Sequence, residues 1–455
     1  AVYTQITTLN QGTQIRLRGR TAPGDWVYAC CLNDLSSYWI RPAYVNVDNA
    51  TLPTGAPTGS DPKSLRWLAI QPPDPVLTPR PVPTGIPAAD FPLAYYNAAN
   101  TGRVPILPSG GLTDAWPSAN SQAGQEFTSP VAVLNGASVI AANNDGNLYG
   151  LFIDGGNQRW RAPLPAGVRL APSLHGNFVY LLNANTLTTF EDQNGNPALV
   201  GNLTLPVPAR TPINIWLDTL FVGAGDGDGA QLIAFQRPAL TNTVTFNEPT
   251  GAIRMPAIGQ ETVYVAANQL YAIDANVFDL SSPGIEIIWS GPSDLAPITL
   301  PPIYAYPGRS APADGRSTLA DLYVADGTRV HALDANTGTR LWLFNAGYEI
   351  KGMAVNADNV FLVGPTQIGM ISRERGEQRW LKDVTGSMVG GPLVTDQVVL
   401  IVTLDGGVYL YNTTDGSILN SKNINRSGVT NGVAVSNGRI FFAAGNTVYA
   451  FVGSP

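Results

Sequence analysis

Val330-His331-Ala332-Leu333-Asp334-Ala335-Asn336-Thr337-Gly338-Thr339-Arg340-Leu341-Trp342 is the stretch on which the fold turns. It opens as a short apolar strand. Asp, Asn and Thr then lead into a Gly, the residue type that takes positive φ in a tight turn without steric cost. A second strand follows and carries a Trp. The first half of this unit recurs along the chain as Leu148-Tyr149-Gly150-Leu151, Leu187-Thr188-Thr189-Phe190, Leu232-Ile233-Ala234-Phe235, Leu270-Tyr271-Ala272-Ile273, Ile368-Gly369-Met370-Ile371, Val408-Tyr409-Leu410-Tyr411 and Val448-Tyr449-Ala450-Phe451. With Val330 in its place, the successive spacings are 39, 45, 38, 60, 38, 40 and 40 residues. A period near 40 with four short strands per unit is that of a β-propeller, here of eight blades over 111–455. A further strand precedes the aligned one in most units, as in Phe178-Val-Tyr-Leu-Leu and Arg439-Ile-Phe-Phe-Ala. The 60-residue gap reads as an insertion around Tyr304–Ser317, rich in Pro and Gly, forming a surface loop.

The last unit stops after its third strand, whereas Leu112-Thr113-Asp114-Ala115-Trp116 stands before the first unit as an orphan fourth strand. Joining the two would close the ring and remove an open edge. This places Trp116 in one layer with Trp160, Trp289, Trp342 and Trp380. The blades ending near Val200, Val244 and Leu419 lack the Trp.

The Asp334, Thr337, Gly338 and Trp342 pattern resembles the quinoprotein-like repeat, Ala-x-Asp-x-x-Thr-Gly-x-x-x-Trp. Gly155–Trp160, Gly376–Trp380 and Thr414–Leu419 are weaker copies. The resemblance covers about three-quarters of the chain and implies an all-β propeller whose Trp residues pack between blades. It also carries two opposite functional expectations. Non-enzymatic members, such as the propeller lipoprotein of outer-membrane protein assembly, are docking surfaces. Enzymatic members are dehydrogenases that hold pyrroloquinoline quinone at the propeller centre, with a Ca²⁺ ion, a Trp floor, an Arg and an Asp base. Many add a vicinal Cys-Cys disulfide, and some a haem site.

The first fifty residues read as a small barrel. Gly12–Arg20, Gly24-Asp25-Trp26-Val27, Tyr38-Trp39-Ile40 and Tyr44-Val45 resemble a bacterial SH3-type domain, with Tyr38 where that family has Gly. Such domains stand on cell-surface proteins and some bind cell-wall peptides, so residues 1–50 are either a cell-wall contact or a spacer. Residues 51–110 hold thirteen prolines. Pro fixes φ and lacks an amide donor, so this stretch reads as an extended arm rather than a helix or central strand. Trp67, Phe91, Tyr95 and Tyr96 mark it as an interaction arm that packs on a surface, its own propeller's or a neighbour's.

Composition narrows the function classes. Charged residues are 13% of the chain, about half the usual share. The formal charge is −7 and no dense Lys/Arg run exists, which argues against a nucleic-acid partner. No apolar run reaches the length of a membrane span. The start at Ala1 reads as the product of signal removal or as lying downstream of it. These features fit an extracytoplasmic protein, secreted or on the cell surface.

Little catalytic chemistry is legible. Cys30 and Cys31 lie far in sequence from any blade, no haem motif occurs, and no Glu, Asn and Asp set matches the quinone enzymes' Ca²⁺ site. The two histidines, His175 and His331, fall in separate units, and His331 reads as a packed, hydrogen-bonded core residue. Asp226 and Asp228 in Gly225–Gly229 are the only candidate Ca²⁺ ligands, with a plain hairpin turn as the other reading. The expectation is a non-catalytic structural or interaction scaffold without catalytic residues or cofactor. Its partners would be proteins, copies of itself among them. The alternatives are a quinone-dependent dehydrogenase and a cell-wall or carbohydrate-binding module.

Overall fold

The computed structural model describes 91–117, 121–164, 167–237, 240–248, 251–259, 262–275, 287–305 and 321–453, together with five earlier strands. The chain divides into two compact units, Ala1–Val82 and Pro83–Pro455. In the first unit, Gln5–Leu9, Arg16–Arg20, Val27–Cys30, Ser37–Ile40 and Trp67–Ile70 form one sheet. Trp67–Ile70 runs parallel to both its neighbours, Gln5–Leu9 and Ser37–Ile40. The SH3-like reading of 1–50 and the arm between 71 and 90 lie outside the described residues.

The second unit is a propeller of eight four-stranded antiparallel sheets. Each blade runs from a short inner strand outward. The inner strands are Ala132–Leu134, Ser173–His175, Asn214–Trp216, Ala257–Gly259, Ile303–Ala305, Gly352–Val355, Leu393–Val394 and Ala434–Ser436. Tyr304 therefore belongs to the inner strand of blade 5, not to the surface loop expected around Tyr304–Ser317. The Pro and Gly that follow it in the long gap obscure this short strand, Ile303–Ala305.

The second and third strands of each blade carry the core. Val360–Val363 and Val398–Val402 are buried along their length, as are Leu148–Leu151 and Leu187–Phe190. Burial on both faces explains why these strands read as continuous apolar runs rather than alternating ones. Blade 8 is completed by Leu112–Asp114, with Leu112 opposite Gly453, Thr113 opposite Val452 and Asp114 opposite Phe451. The ring thus closes with strands from both ends of the propeller sequence, as the orphan strand required.

Candidate functional site: the propeller hub and its interblade latch

Two layers could carry function, and the outer one is the layer that the repeats spell out. In the outer strand a register shift falls just before the Trp, as between Met370 and Ile371 where they pair with Trp380 and Gln378. Such a bulge re-aims the following side chain. It turns Trp380 onto Phe361 of its own blade, ring centroids 6.2 Å apart, and toward the next blade's turn. There its indole Nε1–H donates to the Thr413 carbonyl at 2.9 Å. Trp342 donates to Arg373 O at 2.9 Å, Trp289 to Ala335 O at 3.1 Å and Trp116 to Ile153 O at 2.8 Å.

The turn glycines fit this arrangement. Gly416, at φ 68°, lies over the Trp380 ring so closely that a Cβ would sit 2.8 Å from it. Gly338 lies likewise on Trp289, Gly376 on Trp342 and Gly156 on Trp116. Asp334 builds its turn by accepting from the Asn336 amide at 2.8 Å and the Thr337 amide at 3.3 Å. Trp160 is 5% exposed, but its Nε1 has no partner among the described residues, and Gly195 of the next blade faces Arg159 instead. Gly201, Val244 and Asn420 hold the Trp position in blades 2, 3 and 7, opposite Thr189, Ala234 and Leu410.

The inner layer was not legible. Residues 91–104 make one circuit of the hub and bond to inner strands in blade order. Phe91 exchanges both backbone bonds with Val133 of blade 1 at 3.1 Å, and Pro92 O accepts from Leu174 of blade 2 at 2.8 Å. Ala98 O accepts from the Asn214 side-chain amide of blade 3 and from the Ile258 amide of blade 4, both at 2.8 Å. Ala99 O takes the Tyr304 amide of blade 5, Thr101 O the Val355 amide of blade 6 and Gly102 O the Val394 amide of blade 7. Phe91 and Tyr96 are buried in the hub, while Tyr95 is half-buried there.

Asn100 pins the circuit. It is fully buried and takes a left-handed φ of 58°, which Asn tolerates better than most residues. Its Nδ2 donates to Pro256 O at 3.0 Å, Pro302 O at 3.1 Å and Met255 O at 3.3 Å. The Asn100 and Asn214 Oδ1 atoms are buried without a partner among the described residues. Sequence reasoning missed Asn97, Ala98, Asn100 and Asn214. The signal available was a Pro-free, turn-rich Asn-Ala-Ala-Asn-Thr-Gly inside a Pro-rich stretch.

The cavities beside this segment are small. The two best-formed cavities among the described residues flank the segment. One, of about 10 Å³, is lined by Tyr95, Asn100 and Ile303. The other, of about 20 Å³, is lined by Phe91, Leu93 and Pro130. Each admits a water-sized body, whereas small-molecule sites run to some 300 Å³ or more. No group of three His, Cys, Asp or Glu side chains among the described residues could hold a metal. Asp226 is paired with Arg210, and Asp228 lies in the single-turn segment Gly227–Gly229. Residues present and group implied do not fit.

His331 is fully buried. Its Nε2 lies 2.9 Å from the Asp326 carboxylate, which also accepts from Arg329 Nε at 3.0 Å and the Ala296 amide at 3.2 Å. Arg340 stands 3.5 Å from Nδ1 and pairs with Asp294 at 2.7 Å. Desolvation lowers the imidazole pKa, against the pull of Asp326. The pair ties the Asp326 turn to its following strand and to the loop at Ala296. His175 is exposed on the inner-strand hairpin of blade 2.

Apolar side chains are exposed on the outermost strand of blade 2, at Leu199 and Val200, and on those of four consecutive blades, 4 to 7. Ile287 and Ile288 of blade 4, Leu341 and Leu343 of blade 5, Leu381 of blade 6 and Ile418 of blade 7 are all more than 40% exposed. They lie on outermost strands, whose outer backbone edges carry no neighbour within their sheets. No helix among the described residues is long and apolar enough to cross a membrane.

The family model described as outer membrane protein assembly factor BamB matches residues 108–230 and 326–454, together more than half of the chain. Among curated proteins, none matches by sequence. The crystal structure of BamB from Moraxella catarrhalis superposes with a TM-score of 0.55 at 16% identity, covering 73% of this chain and 97% of that one. The quinohemoprotein alcohol dehydrogenase ADHIIG from Pseudomonas putida HK5 gives 0.63 at 12% identity, covering 81% and 82%. A europium-containing methanol dehydrogenase gives 0.61 at 10% identity, covering 80% and 90%. At these identities the solved structures share the fold, and fold does not carry function.

Proposed function

The chain belongs to the family of the outer-membrane protein assembly factor BamB, and from there we propose that it is a non-catalytic scaffold outside the cytoplasm that holds protein partners. The observation that carries this reading is the filled hub. The chain's own residues 91–104 run around the centre of the ring, bonded to seven inner strands, which supports a disc rather than a cofactor site. A catalyst needs space for substrate beside its reacting groups. A docking disc needs a rigid ring and an adhesive surface.

The rim arc supports the same reading. Outer strands with free backbone edges and exposed Ile and Leu can add a partner's strand or seat an apolar face. The acidity of the chain keeps such a surface soluble.

Incubation of the full chain with pyrroloquinoline quinone and Ca²⁺ tests the non-catalytic half. The expected result is no retained quinone after gel filtration and no dye-linked oxidation of alcohols. Stoichiometric quinone would overturn it. Retention of defined envelope proteins on the immobilised chain, reduced by Leu341→Ser with Leu343→Ser, tests the docking half. Equal retention by both forms would remove the rim from the proposal.

A further inference from the structure

Residues 91–107 stand outside the region that matches the family, which begins at residue 108. They are nonetheless the residues that fill the hub. The eight sheets are complete without them, and the ring is closed by Leu112–Asp114. The segment is therefore a separate piece seated in a finished ring.

Its bonds are of two kinds. Some are internal, such as the Tyr96 amide to Leu93 O at 2.9 Å, the Gly102 amide to Tyr95 O at 3.2 Å and Asn97 Nδ2 to Thr101 Oγ1 at 2.7 Å. The rest go to the propeller. The last of these are an exposed pair, Arg103 Nη2 to both carboxylate oxygens of Asp396 at 2.8 and 2.9 Å, and the Val104 amide to Val394 O at 2.9 Å. Beyond them the chain reaches blade 8, where Pro108 packs against Gly453. Only Pro108-Ser109-Gly110-Gly111 then links the seated segment to the rim strand.

The seat is also imperfect. Tyr96 and Asn100 both take left-handed φ, 73° and 58°, and two buried carbonyl oxygens lack partners among the described residues. Such costs lower the work of lifting the segment out while leaving the blades intact.

We propose that the hub is a binding site for residues 91–107 of a second copy as well as for the chain's own, with Pro108–Gly111 as the hinge. This deepens the scaffold reading by naming one protein partner. An exchanged segment makes every contact that it makes in its own ring, so the two states differ only at the hinge and in concentration dependence. Reciprocal exchange gives a closed pair. One-way exchange gives an open chain of discs, each joined through its neighbour's hub.

The test uses full chains with Cys30 and Cys31 replaced by Ser. One carries Arg103→Cys and a small tag, the other Asp396→Cys and a large tag. The two are refolded together at high protein concentration and oxidised. Exchange predicts a mixed disulfide at least tenfold above a control in which Asp218→Cys, on the blade 3 hairpin, replaces Asp396→Cys. A chain carrying both Arg103→Cys and Asp396→Cys reports the seat in the same ring. If that chain closes its own disulfide and the mixed pair stays at control level, the proposal is overturned. Native mass, measured by light scattering on the unsubstituted chain across the same concentrations, reads the outcome without any disulfide. A species that stays at 48.1 kDa throughout overturns it too. Either failure leaves the scaffold reading to be judged by partner capture alone.

Discussion

The hub and the latch layer do the same mechanical task with opposite materials. Both tie neighbouring blades together. The latch does it with side chains repeated around the ring: Trp380 stacked under Gly416 and bonded to Thr413 O. The hub does it with backbone groups of one unrepeated segment, running past seven inner strands in turn. The latch is interrupted wherever one of its two halves is missing, as at Trp160 and in blades 2, 3 and 7. The hub bonds reach those blades, through Pro92 to Leu174, Ala98 to Asn214 and Gly102 to Val394. The difference suggests a division of labour in which the hub segment secures the joints that the repeats leave weak.

The comparison breaks most visibly at Trp380. Trp380→Ala empties a buried site and is expected to cost about 3–5 kcal/mol by denaturant unfolding. Next in size is Asn100→Gly, which keeps the left-handed backbone and removes only the amide. It takes a donor from the Met255, Pro256 and Pro302 carbonyls, of which Pro256 keeps the Asn214 side-chain amide at 2.6 Å, at an expected cost of about 1–3 kcal/mol. A loss below a tenth of that would show the hub segment to be a passive filler.

Two Phe substitutions sharpen the latch itself. Trp380→Phe strands the Thr413 carbonyl and should cost roughly 1 kcal/mol more than Trp160→Phe, whose indole N–H has no acceptor among the described residues. Equal costs would mean that the latch is packing alone.

The smallest expected effect is that of pH. Burial holds the His331 pKa below its ordinary 6.5, so the unfolded chain binds this proton more readily than the folded one. Stability from this group is full above about pH 6.5 and is lost as pH falls from there toward the folded pKa. His175, also lowered, adds in the same direction. Unfolding midpoints at pH 7.5 and 5 should therefore differ, and His331→Gln should reduce the difference. An unchanged slope would place the acid sensitivity elsewhere.

How much of this was legible follows from the same contrast. Trp116 could be assigned to the latch layer from a five-residue orphan strand, because the repeat states what its position requires. Its hydrogen bond to Ile153 and its tilted ring contact with Phe441 are the consequence. Phe91, Tyr95 and Tyr96 could be read only as residues that must pack on something. Gly195 illustrates the limit from the other side: it is a turn glycine at φ 90°, yet it meets Arg159 rather than Trp160.

By itself the sequence determined the number of blades and the strand that closes the ring. Those features depend on local pattern, on residue types that a turn or a buried strand demands at a set spacing. Only the tertiary structure decided that 91–104 lines the hub and that Asn100 holds three carbonyls from two blades. Those contacts join residues up to 293 positions apart, and most run from backbone to backbone. Every residue but proline carries the same amide and carbonyl, so bonds of that kind leave no mark in the order of side chains.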